Sequence, residues 1–301
     1  MLSANDLRKV AARSGARDIG NVEIDVVMTY LLQLLTERGI AEHVAFKGGT
    51  MLRKMIFGPR GRLSTDLDFT RRTEVGIDDL MLMMLEALSE PWHGLSFRFD
   101  KDKDWYLIDE GCAANPVCFH AGNERGVKIK LQVSTREAPV LPVVQVEQVR
   151  QDYFALLPFT PAAVACLAFE EAVAEKIRAA SQRSKIRDLH DLSEIAGRPL
   201  NRDLIRALAV LKLWNSGGPG LAYDRFAERI KGGADCDVGD LASLLRKDQK
   251  PDLDDMMRRV LDAYRFQTDL TDAEKVLAAD GARKNRKEAA ALAASLRRAP
   301  A

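Results

Sequence analysis

Apolar residues recur at helical spacing over residues 5–14 and again over 21–38, where Val22, Val26, Leu31, Leu34 and Leu35 form a broad stripe. The chain is therefore expected to open with two helices, the first capped by Ser3 or Asn5 and the second stopped by Gly39. His43–Phe46 is a short apolar run that predicts a buried strand, and residues 49–57 predict a helix ended by Gly58-Pro59. A Gly- and Arg-rich loop follows over 58–64, then a strand through Leu67–Phe69 and an apolar helix from Gly76 to Glu90. Beyond Ser96 the period becomes two, with strands predicted over 95–99, 104–108, 115–120, 126–134 and 142–148. In residues 127–133 Lys128, Lys130 and Gln132 share one face; the lysines are either a solvated edge or a wall facing phosphate. After Pro158 and Pro161 helical patterns dominate, over 161–182, 184–195, 201–215, 221–230, 237–246, 251–266 and 271–296. The expected architecture is α+β over residues 1–158, followed by a helical domain over 159–301.

Composition changes this picture little. Lys plus Arg number 45 and Asp plus Glu 44, so a polyanion site can come only from local clustering. Residues 47–72 cluster in that way: Lys47, Arg53, Lys54, Arg60, Arg62, Arg71 and Arg72 surround Asp66 and Asp68. Cys112, Cys118, Cys166 and Cys236 form no C-x-x-C pair and read as reduced structural thiols of a cytoplasmic protein. The four histidines lack metal-ligand spacing, and only His190, between two carboxylates, merits reserve. No stretch reads as a membrane span, and neither a P-loop nor a G-x-S-x-G elbow occurs.

Two constellations carry chemistry. In the first, Gly48, Gly49 and Thr50 stand between a strand and a helix, where backbone N–H groups and the helix end can cup phosphate. Asp66 and Asp68 are two apart, so on a strand both point to one face and can grip Mg²⁺ across a nucleoside triphosphate. Lys47, Arg53 and Arg62 are then candidates to neutralise phosphate charge. A lone D-x-D is also compatible with a plain turn. In the second, Lys176 lies among apolar neighbours and requires a carboxylate or a phosphate, while Asp188 and Asp191 are one helical turn apart. An interhelical ion-pair network is the competing reading of that cluster.

Lys47-Gly48-Gly49-Thr50, Leu52-Arg53 and Arg62-x-Ser64-x-Asp66-Leu67-Asp68-Phe69 resemble the AbiE toxin family of nucleotidyltransferases, which includes the mycobacterial MenT toxins. Ala174-Glu175-Lys176-Ile177-Arg178-Ala179 resembles the family's lysine motif, and Arg187-Asp188-Leu189-His190-Asp191 its R-D-x-x-D motif. The resemblance implies a DNA-polymerase-β-like nucleotidyltransferase core with a C-terminal helical domain. It implies Mg²⁺ on Asp66 and Asp68, catalytic roles for Lys176 and Asp188, and an NTP, a pyrimidine in characterised relatives, held by Lys47, Gly48, Gly49, Thr50, Arg53, Arg62 and Ser64. It further implies transfer of NMP to the 3′ end of tRNA, blocking translation, and a cognate antitoxin with a winged-helix DNA-binding domain. Gln132 falls where polymerase-β-like enzymes place a third carboxylate, and an amide cannot act as a general base. Either another acid fills in, with Asp188 the leading candidate, or the acceptor hydroxyl is activated differently. Transfer onto a protein or small molecule, or a catalytically silent nucleotide- or antitoxin-binding module, are the alternatives.

Overall fold

The computed structural model describes residues 2–232 and 238–298. It divides into two compact units, one of Met1–Pro139, Val143–Cys166 and Ala242–Lys250, the other of Val140–Pro142, Leu167–Leu241 and Pro251–Ala301.

The first unit opens with α1 (Ala4–Ser14) and α2 (Ile19–Glu37). Ser3 and Asp6 form a reciprocal capping box at the start of α1, and Asp18 caps α2. Then come β1 (Val44–Lys47), α3 (Gly48–Met51) running on as a π-helical stretch Leu52–Phe57, β2 (Asp66–Arg71) and α4 (Ile77–Ser89). The remaining strands are β3 (Leu95–Arg98), β4 (Trp105–Ile108), β5 (Gly111–Ala114), β6 (Val117–His120), β7 (Asn123–Lys128), β8 (Lys130–Ser134), β9 (Val144–Val146) and β10 (Val164–Cys166). They make a seven-stranded mixed sheet, β4-β5-β8-β2-β1-β10-β9, and a three-stranded sheet, β3-β6-β7. Strand alternation sends Phe69, Leu131 and Val133 to one face of the large sheet, where they meet Leu35 of α2 and Leu80 and Met84 of α4 in an apolar core. The other face is left for polar side chains.

By length and composition α2 is the one helix among the described residues able to cross a membrane, contrary to the expectation of no such stretch. Two-thirds of that stretch is buried in the unit, however, including Val26, Tyr30, Leu31 and Leu34, which makes it a core helix.

Three strand expectations change in detail. Residues 126–134 form two strands rather than one: the chain crosses from the small sheet to the large one at Ile129, whose N–H donates to Pro116 O. Lys128 and Lys130 consequently lie in different sheets. β5 has almost no alternating signal because Gly111, Cys112, Ala113 and Ala114 are all buried. Residues 161–182 are not one helix. Val164–Cys166 is a buried apolar triplet that pairs parallel with β1 and antiparallel with β9, and periodicity cannot distinguish so short a run from helix. That strand belongs to the first unit, which thus reaches Cys166 where the sequence divides the chain at 158/159.

The second unit holds α5 (Phe169–Gln182), α6 (Ile186–Ile195), α7 (Arg202–Ser216), α8 (Tyr223–Lys231), α9 (Val238–Leu244, whose last residues belong to the first unit), α10 (Leu253–Ala263), α11 (Asp272–Ala278) and α12 (Arg286–Arg298). α5 packs against α6, α7 and α8. The helix expected over 271–296 is interrupted between α11 and α12. There the Asp280 carboxylate accepts from Asn285 N–H and Trp214 Nε1, and Arg283 sits in the left-handed region at φ 55°. Cys112, Cys118 and Cys166 are buried free thiols; burial pushes Cys112 up to about 11 and the other two to about 12. Cys236 lies outside the described residues.

Candidate functional site

β1 delivers the chain into the glycine turn, and the returning β2 lies beside it. In that antiparallel pair Lys47 is opposite Asp68, and in the parallel pair with β8 Asp66 faces Lys130 and Asp68 faces Gln132. Registered neighbours project from the same side of a sheet. Lys47, Asp66, Asp68, Lys130 and Gln132 therefore share the face opposite the apolar core, and all five are half-buried. Leu67 and Phe69 on β2 point into the core, which is what fixes the two aspartates outward.

The turn is built to let these side chains close in. Gly48 adopts φ +83°, and a Cβ there would lie 2.9 Å from Asp68 Cβ and 3.1 Å from Asp68 Cγ, so the Asp68 side chain rests on the bare Gly48 Cα. A Cβ on Gly49 would lie 3.2 Å from Arg62 Cζ and closer still to Nη2, so the guanidinium covers the second glycine. Thr50, fully buried, ties the turn to β2 through a hydrogen bond from Oγ1 to Asp66 O. Lys47, Gly48, Gly49, Thr50, Arg62, Asp66 and Asp68 are thereby brought together. Ser64 is buried just ahead of β2, and Arg62, 5% exposed, also donates to Leu63 O at 3.2 Å.

Arg53 departs from its expected role. Its guanidinium is turned into the core, where Nη1 donates to Gly58 O and Nη2 stands 3.7 Å from Asp25 Oδ2. It braces the end of the π-helical stretch and presents no charge to the aspartate face. The sequence marks it as basic but not its direction, because a π turn shifts every later side chain off the ordinary helical spacing.

In the second unit Lys176 is nearly buried on α5, with Nζ 3.1 Å from Asp188 Oδ1 and 2.6 Å from Asp191 Oδ2, both on α6. Arg183 Nε donates to Asp188 Oδ2 at 2.8 Å. Burial works to raise the Asp188 carboxyl, but the Lys176 and Arg183 charges outweigh it and hold it below its ordinary value. The ion-pair reading thus describes this cluster as it stands. His190, 7% exposed, has Nδ1 3.9 Å from Asp191 Oδ1. The sequence does not reveal Lys212 of α7. It is fully buried, with Nζ 2.7 Å from Glu171 Oε1 and 3.2 Å from Glu175 Oε1. Glu171 also accepts from the N–H groups of Val140 and Leu141, at 2.9 and 2.8 Å. Only the amphipathic spacing of α7 hinted that Lys212 would face inward.

Among the described residues no group of three or more His, Cys, Asp or Glu is placed to hold a metal. The donor set on the sheet face is two carboxylates beside one amide. That set fits Mg²⁺ arriving with a triphosphate, since Mg²⁺ ordinarily keeps waters and takes one or two carboxylates plus substrate phosphates. It does not fit a resident all-protein cage.

The fold has a counterpart among solved structures. The chain is similar to MenT4, a nucleotidyltransferase toxin from Mycobacterium tuberculosis H37Rv, with a TM-score of 0.82 and 25% identity over 99% of this chain and 100% of that one. It is also similar to JHP933 from Helicobacter pylori, with a TM-score of 0.48 and 18% identity over 83% of this chain and 96% of the other. No curated protein matches the sequence. The family model described as the nucleotidyl transferase AbiEii toxin of type IV toxin–antitoxin systems matches residues 30–291, and the chain belongs to that family.

Proposed function

We propose that this nucleotidyltransferase transfers NMP from an NTP, a pyrimidine NTP by family resemblance, to the 3′ end of tRNA and so blocks translation. The observation that carries the reading is the packing of Asp68 onto Gly48, with Asp66 on the same strand face and Lys47 in register. Acids able to hold a cation and a turn able to cup phosphate are thus adjacent, which supports the reading of nucleotidyl transfer. The acceptor 3′-oxygen forms a bond to the α-phosphorus, the α–β bond breaks, and pyrophosphate leaves with the electron pair. When bound, Mg²⁺ held by Asp66 and Asp68 supplies neutralisation of the developing phosphate charge. Gln132 can orient but cannot accept the hydroxyl proton, so the aspartates are the bases that this face offers. Lys47 and Arg62 are the proposed phosphate cations of this face; by family resemblance Lys176 is proposed as a further one, positioned by Asp188.

As a type IV toxin the chain has a cognate antitoxin, for which we propose a winged-helix DNA-binding protein. The amide at position 132 favours one rival, a module that binds NTP without turnover. Incubation with total tRNA, Mg²⁺ and each α-labelled NTP in turn separates the readings. Label is expected on tRNA, and not on tRNA whose 3′-terminal diol has been oxidised by periodate. Label on protein instead, or NTP binding with no acceptor labelled, refutes the proposal.

A further inference from the structure

Behind the glycine turn lies a second charged group that takes no part in the chemistry above. Asp25 of α2 is 2% exposed, Lys54 1% and Arg53 5%. Lys54 Nζ reaches Asp25 Oδ1 at 3.1 Å, Asp25 O at 2.9 Å and Thr29 Oγ1 at 2.8 Å, and the Tyr153 hydroxyl donates to Asp25 Oδ2 at 3.0 Å. Arg53 completes the set, with Nη2 3.7 Å from the same carboxylate and Nη1 on Gly58 O. Arg53 and Lys54 are consecutive residues of the π-helical stretch, and both are directed at one carboxylate of a neighbouring helix. Burial works against the Asp25 charge, but the two cations prevail and hold its carboxyl below the ordinary value.

Apolar residues of similar volume stabilise a core about as well as a buried ion pair does; what the ionic set adds is direction. Two consecutive cations of one helix converge with the Tyr153 hydroxyl on a single carboxylate, and the two cations set the rotation and the height of the helix that carries them. The first turn of that helix is Gly48-Gly49-Thr50. We infer that Asp25 is a positioning residue for the nucleotide site, acting through Lys54 and Arg53 to hold the glycine turn where Asp68 and the triphosphate need it. The inference rests on the proposed reading that this turn receives the NTP phosphates.

The test compares Asp25→Asn, the double variant Asp25→Asn/Lys54→Met and Tyr153→Phe with the wild-type chain. Misplaced binding groups raise KM more than they lower kcat when the lost interaction is shared by ground and transition states. Asp25→Asn is expected to raise KM for NTP about tenfold with kcat within about threefold. The double variant removes one of the stranded cations and should recover urea resistance while KM stays raised. Tyr153→Phe, which keeps every charge, should show the same KM direction at about two- to threefold. Recovery of wild-type KM together with stability in the double variant would assign Asp25 a merely structural role and overturn the inference, as would an unchanged KM in Asp25→Asn. Should Asp25→Asn not fold, the other two variants decide. Amide exchange over residues 47–52 reads the same positioning without nucleotide: faster exchange relative to β2 in the double variant supports it, and equal exchange overturns it. A wild-type chain that transfers no label contradicts the proposed function and leaves the exchange measurement standing.

Discussion

Replacing Gly48 by alanine tests the closeness of turn and carboxylate with a single methyl group. The residue has φ +83°, and an L-residue in the left-handed region costs about 1–2 kcal/mol. The new Cβ would also stand 2.9 Å from Asp68 Cβ. Asp68 sits on β2, paired with β1 on one side and β8 on the other, so it cannot retreat without opening a strand pair. Overpacking of that kind adds about 1–3 kcal/mol, for a total of about 2–5 kcal/mol. Gly39 supplies the control, because it has φ +78° and nothing within 4 Å of an added Cβ. Gly39→Ala isolates the backbone cost, and the excess in Gly48→Ala measures the overlap with Asp68. Urea denaturation followed by the tryptophans of the first unit should place the Gly48→Ala midpoint lower by on the order of 1–2 M. Adding Asp68→Gly, which removes the Cβ that the new methyl meets, to Gly48→Ala should return the excess as a coupling energy of about 1–3 kcal/mol, with Asp68→Gly alone closing the cycle. Equal losses in Gly48→Ala and Gly39→Ala, with no coupling to Asp68, would refute the packing on which the site is built.

Further outcomes follow from the buried charges of the second unit. Lys212→Met strands the buried Glu171 beside Glu175 and should cost about 3–5 kcal/mol in thermal or chemical unfolding; a loss below about 1 kcal/mol would contradict the pairing. Because the Asp188 carboxyl is lower in the folded state than in the unfolded one, its contribution is complete above about pH 4 and is lost as pH falls through the folded value. Stability of the wild type should therefore fall more steeply with acid below about pH 4 than that of Asp188→Asn, and equal slopes would refute this.

The strand–turn–helix–strand order around the site was legible because each piece carries a local signal. The Gly48-Gly49 pair marks the turn, Gly58-Pro59 ends the helix, and the alternation through Asp66-Leu67-Asp68-Phe69 orients the acids. What the sequence hides depends on partners distant in the chain. Val164–Cys166 is a strand only because β1 offers it a free edge. Arg53 looks like a phosphate ligand until the π turn and Asp25 draw it inward. Lys176, read as requiring a carboxylate or a phosphate, lies against the carboxylates of Asp188 and Asp191, since a buried cation must be paired whatever the fold. Lys212 has the same need, but its acids lie on another helix some forty residues earlier, so that local spacing hints at its direction and not at its partners.

The account stands on the carboxylates of β2. Transfer of α-labelled nucleotide to tRNA, measured for the wild type beside Asp66→Asn and Asp68→Asn with amide exchange confirming an intact sheet, addresses it most directly. Loss of either carboxylate proposed to hold the metal should lower the transfer rate by at least about 10³-fold. Transfer at the wild-type rate by either variant would contradict the account.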